Sequence, residues 1–288
     1  MRGIVVKGIG GFYFVETADG TFRAKGRGAI KRSCGPIFVG DDVELTLKGG
    51  EDCSVIEKIY TRKNFFFRPP AANVDRFLVV AAAKDPKPNM FVIDKFLAMA
   101  IKSGAVAALC INKADLADDE EIDLLIKTYT GICPVFVTAA ERREGIDTII
   151  PFVSGGRTAL AGPSGVGKST ITNLLSPGAG METGNVSCRT SRGRNTTRHV
   201  EMFGAFGGYI FDTPGFTSFD MSRVEENELG SLFPEIDKYA AMCRFDDCMH
   251  LTEPGCEVLR ALSDGMIARS RYDSYTAALS EIRKNRRY

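Results

Sequence analysis

Apolar positions divide the chain into three stretches of different period. Up to about residue 64 they come in short alternating runs, most clearly at 43–47, separated by glycines and by turn signals such as Asp19-Gly20 and Gly40-Asp41-Asp42. Period two over short segments marks half-buried strands. No helical stretch of useful length interrupts it, so residues 1–64 are expected to form a small all-β barrel. Beyond residue 65 the texture changes. Residues 77–83 (FLVVAAA) and 106–111 (VAALCI) are continuous apolar runs, as parallel strands buried on both faces require. Residues 91–101, 120–129 and 169–175 have helical periodicity. Further strands are expected over 135–137, 158–161, 199–203 and 209–211. Strands alternating with helices predict a doubly wound α/β unit over 65–222. From about residue 223 to 288 the pattern is helical and polar, interrupted by a cysteine cluster.

Composition narrows the class. Apolar residues make up 44% and charged residues 25% of the 288, an ordinary globular balance. The formal net charge of +1 excludes a globally basic nucleic-acid binder and leaves only local basic faces. Such faces exist: residues 1–64 carry a net +3, and the tail offers Arg283, Lys284, Arg286 and Arg287. No apolar run approaches the roughly 18 residues of a membrane span, and the first residues lack a signal-peptide core, so a cytoplasmic location without membrane contact is expected. In that compartment eight cysteines do not make a disulfide framework. Cys34, Cys53, Cys110, Cys133 and Cys188 are scattered and carry no assigned role.

The chemistry concentrates in a few motifs. Gly162-Pro163-Ser164-Gly165-Val166-Gly167-Lys168-Ser169 fits G-x-x-x-x-G-K-[ST], followed by Thr170 at the start of a helix. Small residues let backbone amides curl around phosphates, Lys168 would neutralise the β and γ oxygens, and Ser169 would place its hydroxyl on Mg²⁺. The helix aims its positive end at the same charge. Asn112-Lys113-Ala114-Asp115 follows a predicted strand. In N-K-x-D the aspartate accepts two hydrogen bonds from guanine that adenine does not offer, so GTP and GDP are the expected ligands. Thr138 and Ala139 follow the next strand, where a backbone amide could meet the base carbonyl. Asp212-Thr213-Pro214-Gly215 ends another strand; Asp212 would hold Mg²⁺ and the Gly215 amide the γ-phosphate. Between these motifs, Thr196 or Thr197 would sense the γ-phosphate and ligate Mg²⁺.

The motif order is base reader, phosphate loop, γ-phosphate sensor, whereas ordinary GTPases place the phosphate loop first. The domain is therefore expected to be circularly permuted. The segment after Asp212 then runs directly into the C-terminal region, which is expected to feel loss of the γ-phosphate. In that region Cys243, Cys248, His250 and Cys256 supply three thiolates and one imidazole with Pro254-Gly255 as the returning turn. Four such ligands fit a closed, structural zinc site.

Together these features resemble the RsgA family (YjeQ/YloQ), bacterial GTPases of small ribosomal subunit biogenesis, over essentially the whole chain. The resemblance implies an OB-fold barrel, a permuted P-loop GTPase domain and a mainly helical zinc-binding domain. It also implies slow hydrolysis stimulated by the small (30S) subunit, with the barrel and zinc domain contacting ribosomal RNA. Nothing suggests more than a monomer. One departure stands out: Asn195 occupies the place where the family usually has a histidine proposed to position the attacking water. Asparagine can orient water but cannot take its proton at neutral pH. Phe216, after the Asp212 motif, is apolar where Ras-like enzymes carry a glutamine nearby. Two readings follow: a ribosome-stimulated GTPase using Lys168, Thr197 and Asp212, or a GTP-switched RNA-binding module with negligible turnover. A small-molecule kinase conflicts with Asn112-Lys113-Ala114-Asp115.

Overall fold

The computed structural model describes residues 1–27, 35–47, 54–177, 200–212, 216, 221 and 224–285. The first strands are β1 (Arg2–Ile9), β2 (Phe12–Thr17), β3 (Gly20–Gly26), β4 (Asp42–Thr46) and β5 (Ser54–Ile59). They pair in the order β1-β2-β3-β5-β4, and β4 returns to β1, which closes a barrel. The β3–β5 pair is parallel and the others are antiparallel. This is the closed, OB-like barrel expected for the small alternating strands. Its interior is Val5, Val15, Ala24, Val43, Leu45 and Ile56. Fully buried Asp41 accepts hydrogen bonds from the Phe38 amide (2.8 Å) and from Arg62 Nε (2.6 Å) and Nη2 (2.8 Å), pinning the segment that leaves the barrel after β5 to the loop before β4.

A short hairpin follows that the hydrophobic pattern did not announce: β6 (Phe65–Phe67) and β7 (Pro70–Ala72). Three consecutive phenylalanines have no visible alternation, yet the pleat sends Phe66 inward and leaves Phe65 and Phe67 exposed.

The α/β unit comprises β8 (Arg76–Ala82), α1 (Met90–Lys102), β9 (Val106–Asn112), α2 (Asp119–Tyr129), β10 (Val135–Val137), α3 (Ile150–Val153), β11 (Arg157–Ala161), α4 (Lys168–Leu175), β12 (Glu201–Ala205) and β13 (Gly208–Asp212). Strands β10-β9-β8-β11-β13 are parallel neighbours. Both faces are covered, which explains the continuous apolar runs. Phe77, Val79 and Ala81 pack with α1 and α2 on one side. Leu78 and Val80 pack with Ile171 and Leu175 of α4 on the other. The strand expected over 199–203 lies at Glu201–Ala205 and forms an antiparallel hairpin with β13. β12 in turn meets β1 at Lys7↔Glu201, where Lys7 Nζ is 2.6 Å from the Glu201 carboxylate.

The last helices are α5 (Pro234–Ala240), α6 (Glu257–Ser263) and α7 (Arg269–Asn285), preceded by a 3-10 segment, Glu226–Leu232. Their core includes Leu229, Phe233, Ile236, Val258, Tyr275 and Leu279, with Ala98 of α1 contributing. The joint to the α/β unit is a buried ion pair. Arg271 of α7 donates to Asp94 of α1 (2.5 Å) and to Glu235 of α5 (2.6 Å), while the Tyr129 hydroxyl donates to the same Asp94 oxygen (2.8 Å). Burial works against the Arg271 charge, but the Asp94 and Glu235 carboxylates raise its pKa above the ordinary value. Lys95–Glu281 and Lys102–Glu228 ring this joint. Among the described residues no helix is long and apolar enough to cross a membrane.

Removing Arg271 strands a buried carboxylate, a loss of about 3–5 kcal/mol. Denaturant unfolding of Arg271→Met should show that loss, and Arg271→Met/Asp94→Leu should recover most of it. Equal destabilisation in the single and double variants would show that the stranded Asp94 carboxylate is not the source of the loss.

Candidate active site and metal centre

Loops at the C-terminal ends of parallel strands converge at one edge of the sheet, where open α/β folds bind ligands. The loop between β11 and α4 supplies one wall. Gly162 has φ 140° and a Cβ there would stand 2.2 Å from the Val80 carbonyl. Gly167 has φ 95° and a Cβ would stand 2.2 Å from Asn112 Nδ2. Only glycine satisfies both the left-handed backbone and the close approach. Ser164 and Gly165 are exposed at the loop's crest, and Pro163, Ser169 and Thr170 are half-buried. Lys168 Nζ donates to the carbonyls of Gly162 (2.8 Å) and Pro163 (2.6 Å). Among the described residues no carboxylate pairs with it, and burial lowers its pKa to about 8. A buried ammonium held only by carbonyls at a helix N-terminus is suited to an anion.

The base-side wall is built on Asn112, which is 2% exposed. Its Nδ2 donates to the Val166 carbonyl (2.8 Å); its Oδ1 accepts from the Thr138 hydroxyl (2.9 Å) and the Ala140 amide (3.0 Å). One carboxamide thus joins the loops after β9, β10 and β11. Lys113 adopts a left-handed backbone (φ 59°) and its Nζ reaches the Asp85 carbonyl at 2.7 Å. The Ala114 amide donates to the Thr138 carbonyl at 3.0 Å. Asp115 is not left without a partner: Arg142 Nε lies 3.3 Å from its Oδ2, and the Asp115 side chain is 13% exposed. The amides of Thr138, Ala139 and Ala140 donate to Ile111 O, Glu144 O and Asn112 Oδ1. Contact from any of them to a base carbonyl therefore requires a shared, three-centre bond.

Asp212 closes β13, in register beside β12. Its side chain, Asn195, Thr196, Thr197 and Gly215 lie outside the described residues, as do Arg286 and Arg287. Phe216 is described and fully buried; its carbonyl accepts the Gly162 amide at 3.0 Å, and its ring packs edge-on against Phe66 and Phe77 at 5.3 and 5.2 Å. In the tail, Arg283 Nε is paired with Glu226 (2.8 Å) and Lys284 is exposed.

The four ligand atoms of Cys243, Cys248, His250 and Cys256 all lie within 4.8 Å of one another. His250 Nδ1 is 3.6 Å from Cys243 Sγ and 3.5 Å from Cys256 Sγ, and those sulfurs are 3.9 Å apart. A tetrahedron with metal–sulfur bonds of about 2.3 Å and a metal–nitrogen bond of about 2.05 Å has edges of about 3.75 and 3.55 Å. The separations among Cys243, His250 and Cys256 match such a tetrahedron, and Cys248 Sγ lies within 4.8 Å of the other ligand atoms, placed to supply a fourth ligand to one ion. Sequence reading missed what holds this loop. Glu253 accepts amides from Met249 (3.0 Å), Leu251 (2.7 Å) and Thr252 (2.9 Å), clamping the turn where His250 has φ 58°. Tyr272 and Tyr275 of α7 donate to the carbonyls of His250 (2.7 Å) and Met249 (3.0 Å). No spacing rule points to Glu253, Arg142 or Asp85, because each acts through backbone groups or a loop partner.

A nucleotide-type site whose base-side loops precede its phosphate loop along the chain has the topology of a circularly permuted GTPase. The chain belongs to the RsgA GTPase family: the family's GTPase model matches residues 59–222 and its N-terminal domain model residues 2–55. The small ribosomal subunit biogenesis GTPase RsgA of Carboxydothermus hydrogenoformans is 41% identical over 289 residues, covering 100% of this chain and 99% of that protein. Its namesake from Alkaliphilus metalliredigens is 38% identical over 100% of this chain and 99% of that protein. The crystal structure of YjeQ from Thermotoga maritima superposes with a TM-score of 0.85 at 34% identity, covering 98% of both chains. That of YloQ, a circularly permuted GTPase, gives 0.82 at 32% identity over 98% of this chain and 95% of that one.

Asn112→Ala removes three hydrogen bonds at about 1 kcal/mol each. GDP affinity, measured by calorimetry, should fall by about a hundredfold. An unchanged affinity would mean the three loops hold their places without this side chain.

Proposed function

We propose that the protein is a cytoplasmic, monomeric GTPase that acts in late maturation of the small (30S) ribosomal subunit, hydrolysing GTP to GDP and phosphate under stimulation by that subunit. The supporting observation is the Asn112 carboxamide, which sets a phosphate loop against a guanine-type loop in one rigid unit. The subunit enters through kinship: the relatives are named small ribosomal subunit biogenesis GTPases. The working division is an RNA-contacting barrel over 1–64, the GTPase unit over 65–222 and a zinc-binding unit over 223–288.

In this reading Asp115 accepts the guanine edge, Lys113 lies along the base, and Thr138 and Ala139 close the far side. The Arg142 guanidinium must yield or share Asp115 when the base arrives, since both compete for the same carboxylate. Amides of 162–170 cradle the phosphates, and Lys168 exchanges its two carbonyl partners for phosphate oxygens, its ammonium stabilised there by the gained anion. Ser169, Thr197 and Asp212 would hold Mg²⁺, which would supply further charge neutralisation on the phosphates. Thr196 or Thr197 and the Gly215 amide sense the γ-phosphate. Water attacks in line; Asn195 can orient it by a hydrogen bond but does not accept its proton. The alternative of a GTP-held binder with negligible turnover rests on Asn195 alone and is not favoured by the kinship.

The test is GTP hydrolysis with and without purified small subunits, in parallel with Asn195→His. Strong stimulation of the unaltered chain is expected. Activity confined to Asn195→His would overturn the reading. Separately, the Cys243, Cys248, His250 and Cys256 cluster is assigned to structural zinc, because four N/S ligands close a tetrahedron. Elemental analysis should find zinc in stoichiometric amount. Cys256→Ser should lose it and lower the melting temperature of the C-terminal helices. Retention of full metal by that variant would exclude the assigned ligand set.

A further inference from the structure

We propose that the outer face of the β6–β7 hairpin is a stacking platform for unpaired bases of an RNA. The hairpin turns its odd-numbered phenylalanines to solvent: Phe65 is 48% and Phe67 51% exposed. Their rings meet edge to face at 5.3 Å, and Phe38 stacks on Phe65 at 6.0 Å. Arg62 packs against this cluster, 4.6 Å from the Phe38 ring centre and 5.7 Å from that of Phe65. The result is a fixed aromatic ledge, and exposed rings of this kind bind bases without regard to sequence because every base has a π-face.

Two observations favour RNA over a protein partner. The first is charge. Residues 58–74 contain four basic residues (Lys58, Arg62, Lys63 and Arg68) and no acidic one. Arg62 and Lys63 are paired with Asp41 and Asp75, but Arg68 stands exposed at the hairpin turn, next to Phe67 in the chain. A cation at the edge of an aromatic ledge is placed to meet the phosphate of a stacked nucleotide. The second is rigidity. Asn64 at the hairpin's base bonds the Val74 amide (2.9 Å) and the carbonyls of Val74 (2.8 Å) and Ser103 (3.1 Å). On the inner face, Phe66 is wedged against Phe77 and Phe216 at 5.5 and 5.3 Å. The ledge is preorganised, so stacking costs little ordering of the protein.

The placement deepens the proposed function, on which it rests. Phe216, which Phe66 touches, gives its carbonyl to the Gly162 amide at the start of the phosphate loop. An RNA held on the ledge is thus one aromatic contact from the nucleotide site.

The experiment uses the full chain. It contains no tryptophan, so Phe65→Trp introduces a single reporter at the ledge. Adding a single-stranded RNA of mixed sequence should quench its fluorescence. In anisotropy titrations with the same labelled RNA, Phe65→Ala/Phe67→Ala should bind about tenfold more weakly. Phe65→Tyr/Phe67→Tyr should bind as the unaltered chain does. Arg68→Ala should reduce the salt slope of log affinity by about one. Melting temperature and GDP affinity serve as folding controls. Should the alanine pair melt early, the quench of Phe65→Trp and the tyrosine pair decide alone. Absence of quenching, or undiminished RNA affinity in a folded alanine pair, overturns the proposal. So does unchanged RNA affinity with a loss of small-subunit affinity, which would assign the ledge to a protein. None of these readouts uses GTP hydrolysis. A chain that binds RNA here yet is not stimulated by the subunit would refute the functional reading and leave the ledge intact.

Discussion

The buried carboxamide of Asn112 is the constraint around which the site is organised. It needs partners on both ends, since an unpaired buried amide costs about 1–3 kcal/mol. It finds them in two other loops: Val166 in the loop after β11, and Thr138 and Ala140 in the loop after β10. Satisfying it fixes the separation between the phosphate and base walls before any ligand arrives. The glycine at 167 follows from the same bond, because a side chain there would displace Nδ2. Neither end of the chain has to lie at a particular point of the sheet for this bond to form. That is why permuting the chain leaves the site whole.

Much of this was legible in the sequence where a residue's role depends on local spacing. The runs at 77–83 and 106–111 became β8 and β9 because burial on both faces leaves no room for alternation. The phosphate loop, the Asn112 loop and the cysteine cluster were visible for the same reason: each needs fixed residue types at short separations. What stayed hidden acts across long separations. Arg271 and Asp94 are 177 positions apart, and nothing in either neighbourhood marks them as partners. Glu253 works through backbone amides, which every residue has. The β6 strand is too short to show a period, so nothing in its three consecutive phenylalanines tells which rings face outward.

The C-terminal helices are joined to the GTPase unit by a helix that does two jobs. One face of α7 carries Arg271 into the acidic pocket between α1 and α5; its tyrosines hold carbonyls of the loop that carries the cysteine cluster. Cysteine-cluster loop and α/β unit are therefore fastened to the same 17-residue rod. α1 in turn begins just after the segment that takes Lys113 through the Asp85 carbonyl. A contiguous path runs from the cysteine cluster to the base-side wall through hydrogen bonds, an ion pair, the helices α7 and α1 and the short segment from residue 85 to 89.

The single junction between β1 and β12 has a consequence for solubility. A twisted parallel sheet ends in two rows of unpaired amides and carbonyls, which invite other chains to add strands. At one end, β10 is only three residues long and offers little template. At the other, the barrel's first strand lies against β12, and the Lys7–Glu201 pair occupies that margin with charge. The barrel, whatever it binds, thereby also works as a stopper on the sheet, guarding an edge that self-association would otherwise find.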